Sequence, residues 1–285
     1  MTLINALKNA GFYRVIVLDA EECGYSDIGS VLLALWKYEV EVLPAEDGAW
    51  IHPYYYASQQ AYEAAVEISR TYAESGVRLR DDIRVKPIFA RLPEFKQGKN
   101  TLSYHDETGS RFHVQIMTVT PGLTATVHLE DETHELQCGD CRICEAACPT
   151  NALEGGVFHR ERCLRNWQLS GAPIPTVIRE KMGNRLIGCD ECQRLCPNNP
   201  SPTGVTHPSV DVKNILVNPK AAANDLRNII GANLSITNRV LAQACLIAGC
   251  SGNQAYVSIL TERKQHPSET VSDHAKWALD RINKK

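Results

Sequence analysis

The chain has 285 residues, 44% of them hydrophobic and 22% charged, with a formal net charge of −3. That is the composition of a globular protein, long enough for one large domain or two ordinary ones, and it excludes a disordered or fibrous chain. The longest apolar run, residues 31–36, falls far short of a bilayer span, and the early burst Val15-Ile16-Val17-Leu18 stops at Asp19, too soon for a signal-peptide core. No membrane is therefore expected, and a reducing cytoplasm is, where thiolates are free to bind metal. Charge is uneven: residues 1–200 carry 20 Lys/Arg against 27 Asp/Glu, whereas residues 201–285 carry 10 against 6. Residues 78–99 are a basic exception, with Arg78, Arg80, Arg84, Lys86, Arg91, Lys96 and Lys99. A mildly basic tail behind an acidic body permits a polyanionic partner without requiring one.

In chain order, residues 3–10 form a short amphipathic helix ended by Gly11, and residues 13–18 are a β-rich run. Residues 30–36 are a second apolar run, and periodicity does not decide between strand and helix. An aromatic group follows: Trp50, His52, Tyr54, Tyr55 and Tyr56. Ser58 then reads as an N-cap, with Ala61, Ala65, Ile68 and Tyr72 on one face and Gly76 closing a helix of about four turns. Gln97-Gly98-Lys99-Asn100-Thr101 lets backbone approach a ligand between polar side chains, although a plain turn between strands reads the same way. Gly109-Ser110-Arg111 follows it. Residues 111–119 alternate as a strand, with Phe112, Val114 and Ile116 facing one way, and Pro121-Gly122 ends it. Residues 1–126 thus read as an α/β domain.

Residues 127–200 hold eight of the eleven cysteines. Cys138, Cys141, Cys144 and Cys148-Pro149 form a C-x2-C-x2-C-x3-C-P run. Cys163, Cys189, Cys192 and Cys196-Pro197 repeat it, with the first ligand displaced upstream by an insertion. This is the ligand pattern of bacterial ferredoxins with two [4Fe-4S] clusters. Three thiolates on a tight loop hold three corners of a cubane, while the fourth lies beyond a turn and binds the other cluster. Each proline redirects the chain just after its ligand. The expected sets are Cys138, Cys141, Cys144 and Cys196 for cluster one, and Cys148, Cys163, Cys189 and Cys192 for cluster two. Structural zinc uses C-x2-C pairs but not this run, and nothing suggests the secretion that a disulfide framework needs. The insertion carries the stiff Gly171-Ala-Pro173-Ile-Pro175 and a short helix over residues 176–182.

Residues 201–285 form the tail. Pro200, Pro202, Pro208 and Pro219 mark residues 200–220 as a linker, and helices follow to residue 283. Residues 236–248 form an apolar-periodic helix ended by Gly249, and residues 253–262 a second. Ser272-Asp273 opens a third, with Ala275, Trp277, Ala278, Leu279 and Ile282 inward. Antiparallel helices with a small-residue seam resemble HEAT-type repeats. Cys245 and Cys250 read as core rather than as ligands, and Cys23 is assigned no role.

Four features now stand in one order. They are the Gly98-Lys99-Asn100 turn, the double cysteine motif with its insertion, Gly188-Cys189-Asp190 with Gln193 and Cys196-Pro197-Asn198, and the helical pair ending in His274-Ala-Lys-Trp277. This order resembles the epoxyqueuosine reductase family, relatives of the reductive dehalogenases, from about residue 30 to the end. The resemblance implies an α+β protein in three parts: a nitroreductase-like cobalamin domain (1–126), a ferredoxin-like double [4Fe-4S] domain (127–200) and a HEAT-like domain that helps hold tRNA (201–285). It implies that the clusters pass electrons from a donor such as ferredoxin or flavodoxin to cobalt, and that epoxyqueuosine in tRNA is reduced to queuosine. Gly98, Lys99, Asn100 and Ser110 fall where such enzymes contact the corrin, and Asp81 or Asp82 where they place the proton donor. Two departures accompany it. The chain starts late relative to the family, and Leu92-Pro93-Glu94-Phe95 replaces a small-residue stretch expected to approach the corrin. The alternatives are a cobalamin-dependent reductase of another substrate and a ferredoxin-like electron carrier without cobalamin.

Overall fold

The computed structural model describes residues 2–39, 48–136, 138–201 and 209–284. These divide into two compact units. The first contains residues 2–39, 56–136, 138–142 and 196–201, and the second residues 48–55, 143–195 and 209–284. This division crosses the three expected segments, whose separate roles are taken up below as a proposal.

In the first unit the strands Arg14–Asp19, Ser30–Lys37, Phe112–Val119 and Val77–Arg80 form an antiparallel sheet in that spatial order. Ser30–Lys37 is central and covered on both faces, which is why its sequence shows no alternation. Leu32 and Ala34 join Val15, Val17, Met117 and Val119 on one face, against Ala61, Ala65 and Ile68 of the helix Pro53–Thr71. Val31, Leu33 and Leu35 join Ile16, Leu18 and Ile116 on the other, against Ile88, Phe89, Leu92 and Phe95. Phe95 is fully buried and packs on Phe89 and Phe112 at ring separations of 4.6 and 5.6 Å. Leu92 and Phe95 therefore fill the core, and their bulk does not crowd a ligand surface as expected for residues 92–95.

The helix Pro53–Thr71 begins five residues before Ser58, which lies inside it. Proline suits the first helical position, and His52 acts as the cap: its Nδ1 accepts the Tyr54 N–H at 2.9 Å. Histidine is not among the favoured capping residues, so sequence alone points to Ser58 instead.

In the second unit Gly48–Ile51 pairs in parallel with Arg185–Ile187 and antiparallel with Val210–Asp211. Residues 210–220 are thus a strand and the start of helices rather than linker, with Asp211 capping Val212–Val217 and Pro219 opening Pro219–Ile230. The rest of the expected linker, residues 202–208, lies outside the described residues. Helix Thr237–Ser251 passes through Gly249 and ends at Gly252, whose φ of +69° is left-handed. Gly249 is instead a packing point, because a Cβ there would stand 2.7 Å from the Ala278 Cα. The last helix, Glu269–Ile282, starts before Ser272, whose hydroxyl donates to the Lys264 carbonyl at 2.7 Å. Cys245 is fully buried, as expected. No helix among the described residues is long and apolar enough to cross a membrane.

Candidate metal centre

The four cysteines expected to hold cluster two all lie in the second unit. Cys148 follows the helix Ile143–Ala147, and its sulfur accepts the Ala152 N–H at 3.1 Å. Cys163 ends the 3-10 turn Arg160–Arg162 and caps the helix Leu164–Ser170. Cys189 and Cys192 flank the start of the helix Glu191–Arg194.

Two residues hold Cys163 and Cys189 in register. Gly188 has a φ of +97°, and a Cβ there would lie 2.3 Å from the His52 Cβ. Buried Gln168, five residues after Cys163, accepts the Gly188 N–H at 2.7 Å and donates to the Arg185 carbonyl at 3.2 Å. Sequence reasoning missed Gln168, whose only signal is a polar side chain between the apolar Trp167 and Leu169 of a short helix. Replacing Gln168 with Leu keeps the volume and strands two backbone groups, so about 2 kcal/mol of stability should be lost. Thermal unfolding and iron content after gel filtration check this, and wild-type values in both would show the amide to be dispensable.

The thiols of this group repel one another. Burial pushes Cys189 up to about 11, with Cys163 adding to it. Burial raises Cys192 further, reinforced by Cys189, Cys163, Cys148 and Cys144. Crowded thiolates without countercharge are what bound iron neutralises, since a coordinating thiol gives up its proton. The residues present therefore suit a cluster. Among the described residues no three His, Cys, Asp or Glu side chains converge on a point for one ion. A cubane spreads its four ligands around an eight-atom core, so that convergence is not its requirement.

Cys138, Cys141 and Cys196 lie in the first unit, and Cys144 in the second. Gln97 exchanges backbone hydrogen bonds with His134 and Leu136 at 2.8 and 2.9 Å, which leads the chain into Cys138. The Cys141 N–H then donates to the Cys138 carbonyl at 2.8 Å. Lys99 braces this turn: its ammonium donates to the Gly139 carbonyl at 2.5 Å and to that of Cys141 at 3.4 Å.

The other residues expected at a corrin gather around Cys196. The Asn100 amide donates to the Tyr104 hydroxyl at 2.7 Å, and its Oδ1 accepts the Leu102 N–H at 3.3 Å. Burial raises the pKa of the Tyr104 hydroxyl, and the Cys196 thiol adds to the rise. Ser110 donates from its N–H and its hydroxyl to Asn199 Oδ1, at 2.7 and 3.1 Å. Two glycines permit these approaches, since a Cβ on Gly98 would lie 2.7 Å from the Tyr104 ring and one on Gly109 2.1 Å from Asn199 Oδ1. Asn100 and Ser110 are buried. Their polar atoms serve the Cys196 loop, and they do not offer a corrin an open surface. Asn199 was missed because its partner Ser110 lies 89 residues away, and Tyr104 because a tyrosine four residues after an asparagine is no ligand signal.

Asp81 and Asp82 lie on an exposed bend after the strand Val77–Arg80. Asp82 accepts two hydrogen bonds from Arg80, both at 2.8 Å, and that pairing pulls its carboxyl down to about 2. At neutral pH it is a carboxylate without a proton to give, the reverse of what a general acid needs. Asp81 has no such pairing with Arg80 among these contacts.

Comparison with known proteins agrees with this geometry. Residues 137–199 match the 4Fe-4S double cluster binding domain. Epoxyqueuosine reductase from Vibrio cholerae is 31% identical over 202 residues, which is 66% of this chain and 53% of that protein. The enzyme of the same name from Bacillus anthracis is 34% identical over 123 residues, 43% of this chain and 31% of that one. This chain is thus similar to epoxyqueuosine reductases over 66% of its length. It carries a 4Fe-4S double-cluster domain. The chain spans about half the length of the Vibrio cholerae relative. Solved epoxyqueuosine reductases share the fold. One is bound to an epoxyqueuosine-modified tRNA-Tyr stem loop, with a TM-score of 0.74 at 18% identity over 98% of this chain and 89% of that one. Another, from Streptococcus thermophilus, has a TM-score of 0.74 at 19% identity over 99% and 90%.

Proposed function

We propose that this protein reduces epoxyqueuosine to queuosine in tRNA, with electrons entering through its two clusters from a ferredoxin- or flavodoxin-like donor. The observation that carries the reading is the pair of cysteine groups on braced turns, within a chain similar to epoxyqueuosine reductases over most of its length. Converting an epoxide to an alkene and water consumes two electrons and two protons. A cubane passes one electron at a time, so two cubanes in series suit a two-electron reduction. Cluster one takes Cys138, Cys141, Cys144 and Cys196, and cluster two Cys148, Cys163, Cys189 and Cys192.

Residues 1–126 form the nitroreductase-like cofactor domain of this proposal, residues 127–200 the cluster domain, and residues 201–285 the HEAT-like part that meets tRNA. The net basic charge of residues 201–285 supports the last role. Cobalamin enters from the family resemblance, and when bound it supplies the two-electron chemistry at the epoxide. Of the four residues expected near it, Lys99 is half-buried, and its role in the proposal is to hold the Cys138–Cys141 turn. Asp81 is the proton donor of this reading. The inward set of Asn100 and Ser110 favours one alternative, an electron carrier without cobalamin.

Anaerobic reconstitution with iron, sulfide and cobalamin tests both readings. About eight irons per chain are expected, together with cobalt uptake and conversion of epoxyqueuosine tRNA that Asp81→Asn slows. Binding of that tRNA should weaken steeply with added salt. Eight irons without cobalt or tRNA turnover would establish the carrier instead.

A further inference from the structure

We propose that Arg165 is a phosphate-binding residue for tRNA, its guanidinium clasped by Tyr54 and Tyr55 with the fork open to an anion. The inference rests on the reading of tRNA as the substrate. All three residues belong to the second unit. Tyr54 and Tyr55 stand in the first turn of the helix Pro53–Thr71, set edge to face at a ring separation of 5.3 Å. Arg165 lies on the helix Leu164–Ser170, just after Cys163. Its Cζ is 5.7 Å from the Tyr54 ring centre and 5.9 Å from that of Tyr55, and its Nε donates to the Tyr55 hydroxyl at 3.1 Å. Tyr55 is buried and Tyr54 half-buried, so the grip is anchored in the body of the unit, whereas Arg165 itself is exposed.

Arg165 is paired differently from its neighbours. Of the six arginines in residues 143–195, the other five each donate to an Asn, Asp or Glu side chain. Arg165 meets a phenol, and among the described residues no acceptor faces the four N–H groups on its Nη1 and Nη2. The aromatic faces attract the cation without neutralising it, and they fix the side chain before any ligand arrives. A phosphate takes two parallel N–H bonds from such a fork. Three arginines against one glutamate over residues 157–170 give the surroundings the same sign. Phosphate is favoured over the carboxylate of a protein partner because arginine beside aromatic rings is the surface that unpaired RNA loops use, with bases on rings and phosphates on charge.

The test is binding of epoxyqueuosine tRNA to the anaerobically reconstituted full chain over a salt series, comparing wild type with Arg165→Gln, Arg165→Lys and Tyr55→Phe at matched iron content. Arg165→Gln should weaken binding about fivefold to tenfold at low salt and lower the slope of log affinity against log salt by about one, the mark of one lost phosphate contact. Arg165→Lys keeps the charge and loses the fork, so the slope should stay while affinity falls about threefold. Tyr55→Phe keeps the ring and removes the hydroxyl that positions the guanidinium, so it too should leave the slope while affinity falls about twofold. Should Arg165→Gln lose iron, the other two variants decide, and wild-type affinity in both would overturn the proposal. An unchanged slope in Arg165→Gln at full iron content would overturn it alone. So would slower reduction of the clusters by ferredoxin in Arg165→Gln with tRNA binding intact, since the fork would then serve the electron donor. A wild-type protein that does not bind the tRNA would overturn the substrate reading and the proposal with it.

Discussion

Gly188→Ala should remove about half of the bound iron and lower the stability of the protein sharply. The new Cβ would stand 2.3 Å from the His52 Cβ and 3.0 Å from the Tyr55 ring. A Cβ cannot swing aside as the end of a long side chain can. The residue also sits at a φ of +97°, which an L-residue adopts at a cost of about 1–3 kcal/mol. Overpacking adds about 1–3 kcal/mol more. Relief requires the strand Arg185–Ile187 to part from Gly48–Ile51, which breaks the His52 N–H to Ile187 carbonyl bond of 2.9 Å and carries Cys189 off its position. The expected result is an iron count falling from about eight to about four, with the residual cluster spectrum belonging to one cubane. Full iron content with an unchanged melting temperature would show that Cys189 does not depend on this turn.

His274 makes the second unit sensitive to acid. It is fully buried, its Nδ1–H donates to the Ala242 carbonyl at 3.1 Å, and its Nε2 accepts the Ile174 N–H at 3.0 Å. Only the neutral ring satisfies both partners, because a proton on Nε2 would face another donor. Burial pulls its pKa down to about 4, and nearby Arg179 adds to this against the opposing Ala242 bond and Asp273. In the unfolded chain histidine titrates near 6.5, so the unfolded state binds more protons between about 4 and 6.5. Stability from this residue is therefore complete above pH 6.5 and falls as pH drops towards 4, by about 3 kcal/mol in all. His274→Ala should cost about 3 kcal/mol at pH 7.5, through a cavity and two stranded backbone groups. It should also flatten the acid slope. Urea unfolding at pH 7.5 and pH 5 measures both effects, and an equal acid loss in wild type and variant would remove His274 as its source.

What the sequence made legible was what local pattern carries. The cysteine spacing marked all eight ligand candidates, and alternation marked Phe112–Val119, whose register with Ser30–Lys37 the hydrophobic faces require. Residues 30–36 were ambiguous because a strand covered on both sides loses its alternation. Helix starts shifted where an unusual group did the capping, as His52 does, or where a serine found another partner, as Ser272 does with Lys264. Gly249 looked like a terminator because a close helix crossing and a helix end favour the same residue. Gln168 and Asn199 brace the ligand loops through partners 20 and 89 residues away, and no short sequence window contains such a pair.

The long loop between Cys163 and Cys189 is clasped by the last helix, Glu269–Ile282. His274 accepts from Ile174, and Asp273 pairs with Arg179, whose guanidinium also holds the Ile174 carbonyl. Those two clasping residues follow Cys196, the last of the eight ligand candidates, by more than 70 residues. Until the last helix folds onto it the loop lacks this anchor, and Cys163 and Cys189 at its ends are tethered by a slack chain. The geometry of these two ligand candidates is thus completed by a segment remote from both of them in sequence.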